Sequence, residues 1–230
     1  MTIQKDCADH LRSTYTTGSS KLRAGHAHEI VASYFGYGTA AALQAESAYP
    51  LAALDEASVL IPAIPLMEQR MQQLKGLPAN LPGADELAKR LSAYLVQHNH
   101  FSGQVWHTHK LEEYIEEEFI QDHSLAIMDD LSGEMAETNA YFDELYVEEV
   151  TISEAPESVV ATVSGHLNGE NDPDKPFTGD SIAFTTTVTL ERVAGRTAFL
   201  SPELDSGGTV DDKDYYDREP PDDEAKPSSP

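Results

Sequence analysis

The sequence predicts an α+β protein: an N-terminal helical module, then a C-terminal antiparallel β-meander, then a disordered acidic tail. Three observations predict it. Apolar residues recur at helical spacing through the first half of the chain. From Leu145 the period falls to two. From Asp205 on, Gly, Asp, Pro and Ser dominate, and such a stretch buries too little to offset its ordering entropy. The expected divisions are a flexible N-terminus (1–20), a mainly helical module (21–144), a sheet module (145–204) and the tail (205–230).

In the first of these, Ser13, Thr14, Thr16, Thr17, Gly18, Ser19 and Ser20 form a polar cluster, which predicts loose structure. Ser19 or Ser20 is a candidate cap for the helix that follows. There Ala27, Ile30, Val31, Tyr34 and Phe35 fall at i, i+3, i+4, i+7 and i+8, one helical stripe. Gly36 stops it, since a helix end favours a residue tolerant of left-handed geometry. Thr39 is placed to cap a short helix, Ala40 to Glu46.

Prolines punctuate residues 50–83, and Leu66 to Leu74 reads as a helix led by Pro65. Ala84 to His98 reads as another, with Leu87, Leu91, Tyr94, Leu95 and His98 on one face. Gly103 to His109 reads as a strand. Leu111 to Gln121 is helical by pattern: Leu111, Tyr114, Ile115 and Phe119 face in, and the glutamates face out. Glu134 to Asp143 is expected to be a short helix. The strands are Leu145–Ser153, Ser158–Leu167, Ser181–Arg192 and Thr197–Leu200. In the third, Ile182, Phe184, Thr186, Val188 and Leu190 alternate with polar or small residues, so one face is buried and one is wet.

The segment KLRAGHAHEIVASYFGYGTAAALQAE (residues 21–46) resembles the small helical glyoxalase-related domain. The likeness lies in a polar helix start, an apolar helix, an FGY-type turn and a second helix. It implies packing and turn chemistry, not glyoxalase catalysis, and no catalytic residue is carried over. Together with GENDPDKPFTGD (residues 169–180), it makes the chain resemble accessory proteins of bacterial mobile elements.

Charge is segregated. The chain carries 40 acidic and 15 basic side chains, a net −25, and 19 of the acids lie between Leu111 and Asp174, where there is no Lys or Arg. Ordinary nucleic-acid binding rests on Lys and Arg neutralising phosphates, so direct nucleic-acid binding is not expected. A helix-turn-helix reading of 21–46 has only Lys21 and Arg23 as nearby cations. A strong negative field steers toward basic partners or cations. The single cysteine, Cys7, permits no intrachain disulfide and fits a reducing compartment, so a cytoplasmic location is expected. No long apolar run is present, so no membrane span is expected.

Two kinds of site emerge. Partner-contact candidates are Glu112, Glu113, Glu116 and Glu117 on the acidic helix, and Glu170, Asp172 and Asp174 in a long loop. They point to a non-enzymatic protein that binds a basic macromolecule, as a DNA-mimic-like decoy or a regulator. The alternative is a metal-binding protein or metal-dependent enzyme. Residues i and i+2 share a strand face, so His107 and His109 can chelate one ion. His98 and His100 can join them if the strand folds back, giving a site for Zn or another divalent metal. No Gly-x-Ser-x-Gly, Walker or Gly-x-Gly-x-x-Gly motif is present.

Overall fold

The computed structural model describes residues 2–17, 20–172, 174–176 and 178–211. It has the expected α+β order, helices first and the strands of the meander after. The N-terminus departs from expectation. Helix α1 (Ile3–Thr14) buries Gln4, Cys7, Ala8 and Leu11 and packs on α2 (Ala24–Tyr34). Those four sit at i, i+3, i+4 and i+7, a helical stripe whose polar and small members disguise it. Of the polar cluster, Ser13 and Thr14 end α1, and β1 (Thr16–Thr17) pairs with β2 (Ser20–Lys21); Gly18 and Ser19 lie outside the described residues. Ser20 is therefore a strand residue, and α2 starts from Arg23 without a side-chain cap.

Gly36 does end the helix region, with φ +84°, and a Cβ there would lie 2.8 Å from that of Arg196. Thr39 caps α3 (Ala40–Gln44): its Oγ1 accepts from the Ala42 N–H at 3.1 Å. A 3-10 turn (Leu51–Glu56) leads to β3 (Val59–Leu60), α4 (Ile64–Gln73) and α5 (Ala84–Gln97). Helices α1 to α5 enclose a first core around Leu11, Ile30, Tyr34, Phe35 and Leu91.

The strand expected over 103–109 is shorter: β4 covers Gln104–Val105 and runs parallel to β3. Next, α6 (Leu111–Tyr114), a π turn (Ile115–Phe119) and α7 (Ile120–Asp122) make one helical stretch. The π turn lets Ile115, Phe119 and Ile120 all be buried together. Helices α8 (Ser124–Asp130) and α9 (Ser132–Glu137) follow.

Strands β5 (Ala140–Glu154), β6 (Ser158–Asn171), β7 (Ser181–Ala194), β8 (Ala198–Phe199) and β9 (Glu203–Asp211) complete the chain. The sheet order is β4-β3-β8-β7-β6-β5, and β9 also pairs with β7. Two expectations are corrected. Residues 140–143 begin β5 instead of ending a helix: 140–142 pair with 171–169 of β6, and Asp143 lies at a register shift. Residues 205–211 are strand, not tail: they complete the β7 ladder, with Leu204, Ser206, Gly208 and Val210 half-covered. Residues 212–230, the rest of the expected tail, lie outside the described residues. The sheet packs one face on the helices of 111–137 around Ile115, Phe119, Ile127, Val163, Phe184 and Val188, the second core. Among the described residues, no helix is long and apolar enough to cross a membrane.

Candidate functional site

The acidic helix displays its charge as its pattern requires. With Ile115 and Phe119 buried, Glu112, Glu113, Glu116, Glu117 and Glu118 are all exposed. Glutamates four apart repel, by roughly 0.2–0.5 kcal/mol per pair on an isolated helix. Burial of Ile115, Phe119 and Ile120 outweighs that, at about 1.5–3 kcal/mol for each large apolar side chain. Lys110, just before the helix, pairs with Glu113.

This helix lies against β5, an outer strand of the sheet. An outer strand offers unpaired backbone groups to any extended chain, and charge is one means by which proteins protect it. On β5, Asp143, Glu144, Glu148, Glu149 and Glu154 are exposed. So are two aromatics, Tyr141 at 69% and Tyr146 at 42%, which makes this edge sticky as well as acidic. Tyr146 donates to Glu144 and stacks on His166, ring centroids 5.2 Å apart. His166 Nδ1 in turn lies 2.9 Å from Glu148 Oε1.

The loop candidates sit at the other end of this strand. Glu170 is the register partner of Tyr141. The Asp172 N–H donates to Asn139 O at 3.0 Å, and Asn139 Nδ2 donates to Pro176 O at 2.8 Å. The Asp174 N–H donates to the Asp172 carboxylate, which also pairs with Lys175. That backbone bond, then Lys175, holds the Asp172 carboxyl below its ordinary range. Asp174 itself is exposed. Glu112 and Glu154, by contrast, line one cleft at the far end of β5. The 15 residues of β5 run about 45 Å at roughly 3.3 Å each. The expected partner residues are therefore the two ends of one acidic belt, not one pocket. Its middle, Glu144, Tyr146, Glu148 and Glu149, escaped the sequence reading. The period-two pattern there marks a strand but says nothing of its place in the sheet.

The four expected metal-binding histidines are not gathered. Because β4 ends at Val105, His107 and His109 do not share a strand face. His98 and His100 turn around Tyr94: His98 Nδ1 lies 2.9 Å from Tyr94 O, and the ring centroids lie 4.1 Å and 6.5 Å from that of Tyr94. Burial, with Lys89 nearby, pushes His107 below the usual imidazole range. His109 Nε2 lies 3.4 Å from Asp85 Oδ1 and 3.7 Å from Glu68 Oε1. Among the described residues, Glu68, Asp85 and His109 form the one group of three such side chains close enough to share an ion. The sequence reading missed Glu68 and Asp85, which lie on α4 and α5, far from His109 in the chain.

The chain matches no protein-family model, no curated protein and no solved structure with which it was compared.

Proposed function

We propose that this is a non-enzymatic protein that binds a basic macromolecular partner through its 111–174 region. One observation supports the reading above the others. The exposed glutamates of 111–118 continue along the outer strand β5, where Tyr141 and Tyr146 add contact area. A row of carboxylates attracts a cationic surface, and exposed tyrosines are favoured anchors at interfaces. A cationic nucleic-acid-binding protein is the natural complement, which makes this chain a DNA-mimic-like decoy or a regulator. The resemblance to accessory proteins of bacterial mobile elements suits that role, and the lone buried Cys7 suits the cytoplasm.

The experiment is affinity capture of a basic protein from the host at low salt. Wild type is compared with a variant carrying Glu112, Glu113, Glu116 and Glu117 as Lys. Wild type retains the partner, duplex DNA competes with it, and the variant loses it. Equal retention by the variant overturns the reading.

A second reading rests on Glu68, Asp85 and His109. One imidazole and two carboxylates are a donor set for Zn or a similar divalent ion. Elemental analysis of protein purified without chelator or tag tests it. About one metal per chain, lost in His109→Ala, supports a metal protein; metal-free folded protein removes this reading.

A further inference from the structure

We propose that the cleft between the helical module and the sheet binds a small organic anion, held by Arg192 and Arg196. The cleft has a volume of about 790 Å³, within the usual range for small-molecule sites. The β7–β8 hairpin forms one wall. It is pinned to the helical module by the Gly195 N–H donating to Tyr49 O at 2.8 Å and the Arg196 N–H to Phe35 O at 3.1 Å. Ile61, Pro62, Leu66 and Val159 supply apolar lining.

Six of the twelve described Lys and Arg side chains pair with a carboxylate, and these two arginines belong to the other six. In a protein of net −25, Lys5, Arg12, Arg70, Arg90, Lys110 and Lys175 each pair with a carboxylate. Among the described residues, Arg192 and Arg196 have no carboxylate oxygen within 4.0 Å. They are held by neutral groups instead. Arg192 Nη1 donates to Ala155 O at 3.1 Å and to Pro156 O, and its guanidinium lies 5.9 Å from the ring centroids of Tyr49 and Phe199. The Arg196 guanidinium lies 5.0 Å from the Tyr37 centroid. The Glu46 carboxylate also lines the cleft, but it is engaged elsewhere. It accepts from Tyr37 Oη at 2.8 Å, from the Ala48 N–H at 2.7 Å and from the Tyr49 N–H at 3.2 Å.

Two buried polar atoms want a partner here. Among the described residues, Arg192 Nε has none, and neither has Oγ1 of Thr197, a cleft residue only 4% exposed. Buried polar groups without partners are costly, so this wall of the cleft is left incompletely satisfied. A guanidinium fork matches carboxylate or phosphate geometry. Glu112 and Glu154 at the rim oppose a polyanion such as duplex nucleic acid. What remains is a compact carboxylate or phosphate monoester with an apolar or aromatic body.

Calorimetric titration of the full chain with phenyl phosphate, benzoate and inorganic phosphate tests this. Wild type binds phenyl phosphate or benzoate saturably, and inorganic phosphate at least tenfold more weakly. Arg196→Gln removes an exposed guanidinium whose described contact is the Tyr37 ring, and it weakens binding about tenfold, which is about 1.4 kcal/mol. Thr197→Val keeps the shape, removes the hydroxyl and weakens binding severalfold. Arg23→Gln, an exposed cation outside the cleft, changes nothing. The proposal fails if none of the three probes binds saturably, or if folded Arg196→Gln and Thr197→Val bind as wild type does. It also fails if Arg23→Gln weakens binding as much as Arg196→Gln, or if inorganic phosphate binds as tightly as phenyl phosphate.

Discussion

Val59 and Leu60 are neighbours in the chain and belong to different hydrophobic cores. Successive strand side chains point to opposite faces. Val59 pairs with Phe199 and faces the sheet's helices; Leu60 pairs with Ala198 and faces α1 to α5. β7 makes the same passage, with Val188 and Leu190 in the second core and Ala194 in the first, across a register shift beside Val193. The two modules are therefore joined by a shared sheet, not by a linker.

Unfolding is expected to be a single transition for this reason. Trp106, the only tryptophan, is buried in the second core and reports on it by fluorescence, whereas far-UV circular dichroism is weighted toward the helices. The two signals should give the same urea midpoint. Leu60→Ala should lower both midpoints together, through a loss of roughly 2–5 kcal/mol of stability. Separate midpoints would show two independently folding units.

A buried pair of hydroxyls yields a prediction of order. Ser92 Oγ donates to Ala88 O at 2.9 Å, so the 2.8 Å contact with Tyr34 has the tyrosine as donor. Tyr34→Phe removes one bond and leaves Ser92 satisfied, costing about 0.5–1.5 kcal/mol. Ser92→Ala strands the phenol of a fully buried tyrosine and costs more, about 1–3 kcal/mol. Denaturant titration of both variants checks the ranking, and the reverse order would contradict the bond assignment.

The elements of the fold were legible wherever one period dominates. Gly36, Thr39 and the Ser181–Arg192 alternation announce their conformations locally, and the structure agrees. What stayed hidden depends on neighbours. α1 is a helix whose stripe of Gln4, Cys7, Ala8 and Leu11 is too polar and small to announce burial, and it is packing on α2 that buries it. β9 is a strand because β7 offers it a ladder, although Ser206, Gly207 and Gly208 suggest a loop. The exposed glutamates of 112–117 were readable from helical spacing. Glu68, Asp85 and His109 meet only through tertiary packing, as do Arg192 and Arg196 with their aromatic rings.

Cys7 should be inert in the folded protein. Burial, aided by the Asp6 charge, pushes its thiol up from an ordinary 9.0 to about 12. Thiolate is the reactive form, so alkylation near neutral pH should proceed only as fast as the chain opens. The pH effect on stability has a definite sign. A thiol whose folded pKa is raised binds its proton more tightly when folded. Its contribution is complete below 9.0 and declines as pH rises toward 12. Cys7→Ala should flatten that alkaline decline. Rapid labelling of native protein at neutral pH would contradict the buried placement.

Glycine substitutions in the sheet should differ sharply by position. Gly165 is buried in β6, opposite Val147 and Phe184. A Cβ there would fall 2.0 Å from Tyr146 O and 2.8 Å from the Phe184 ring. Backbone cannot yield as a flexible side-chain end can, so Gly165→Ala must part β5 from β6 or turn Phe184 out of the core. Overpacking of this kind typically costs about 1–3 kcal/mol, and occasionally more. Gly207, exposed in β9, has no atom of the described residues within 4 Å of its added Cβ. Gly207→Ala relieves the entropic cost of a strand glycine and should leave stability equal or slightly higher. Thermal denaturation of the two variants decides the matter. If Gly165→Ala melts with wild type, the close approach of β5 to β6 at Tyr146 is not a constraint on the fold, and the outer strand is more loosely held than its hydrogen-bonded register implies.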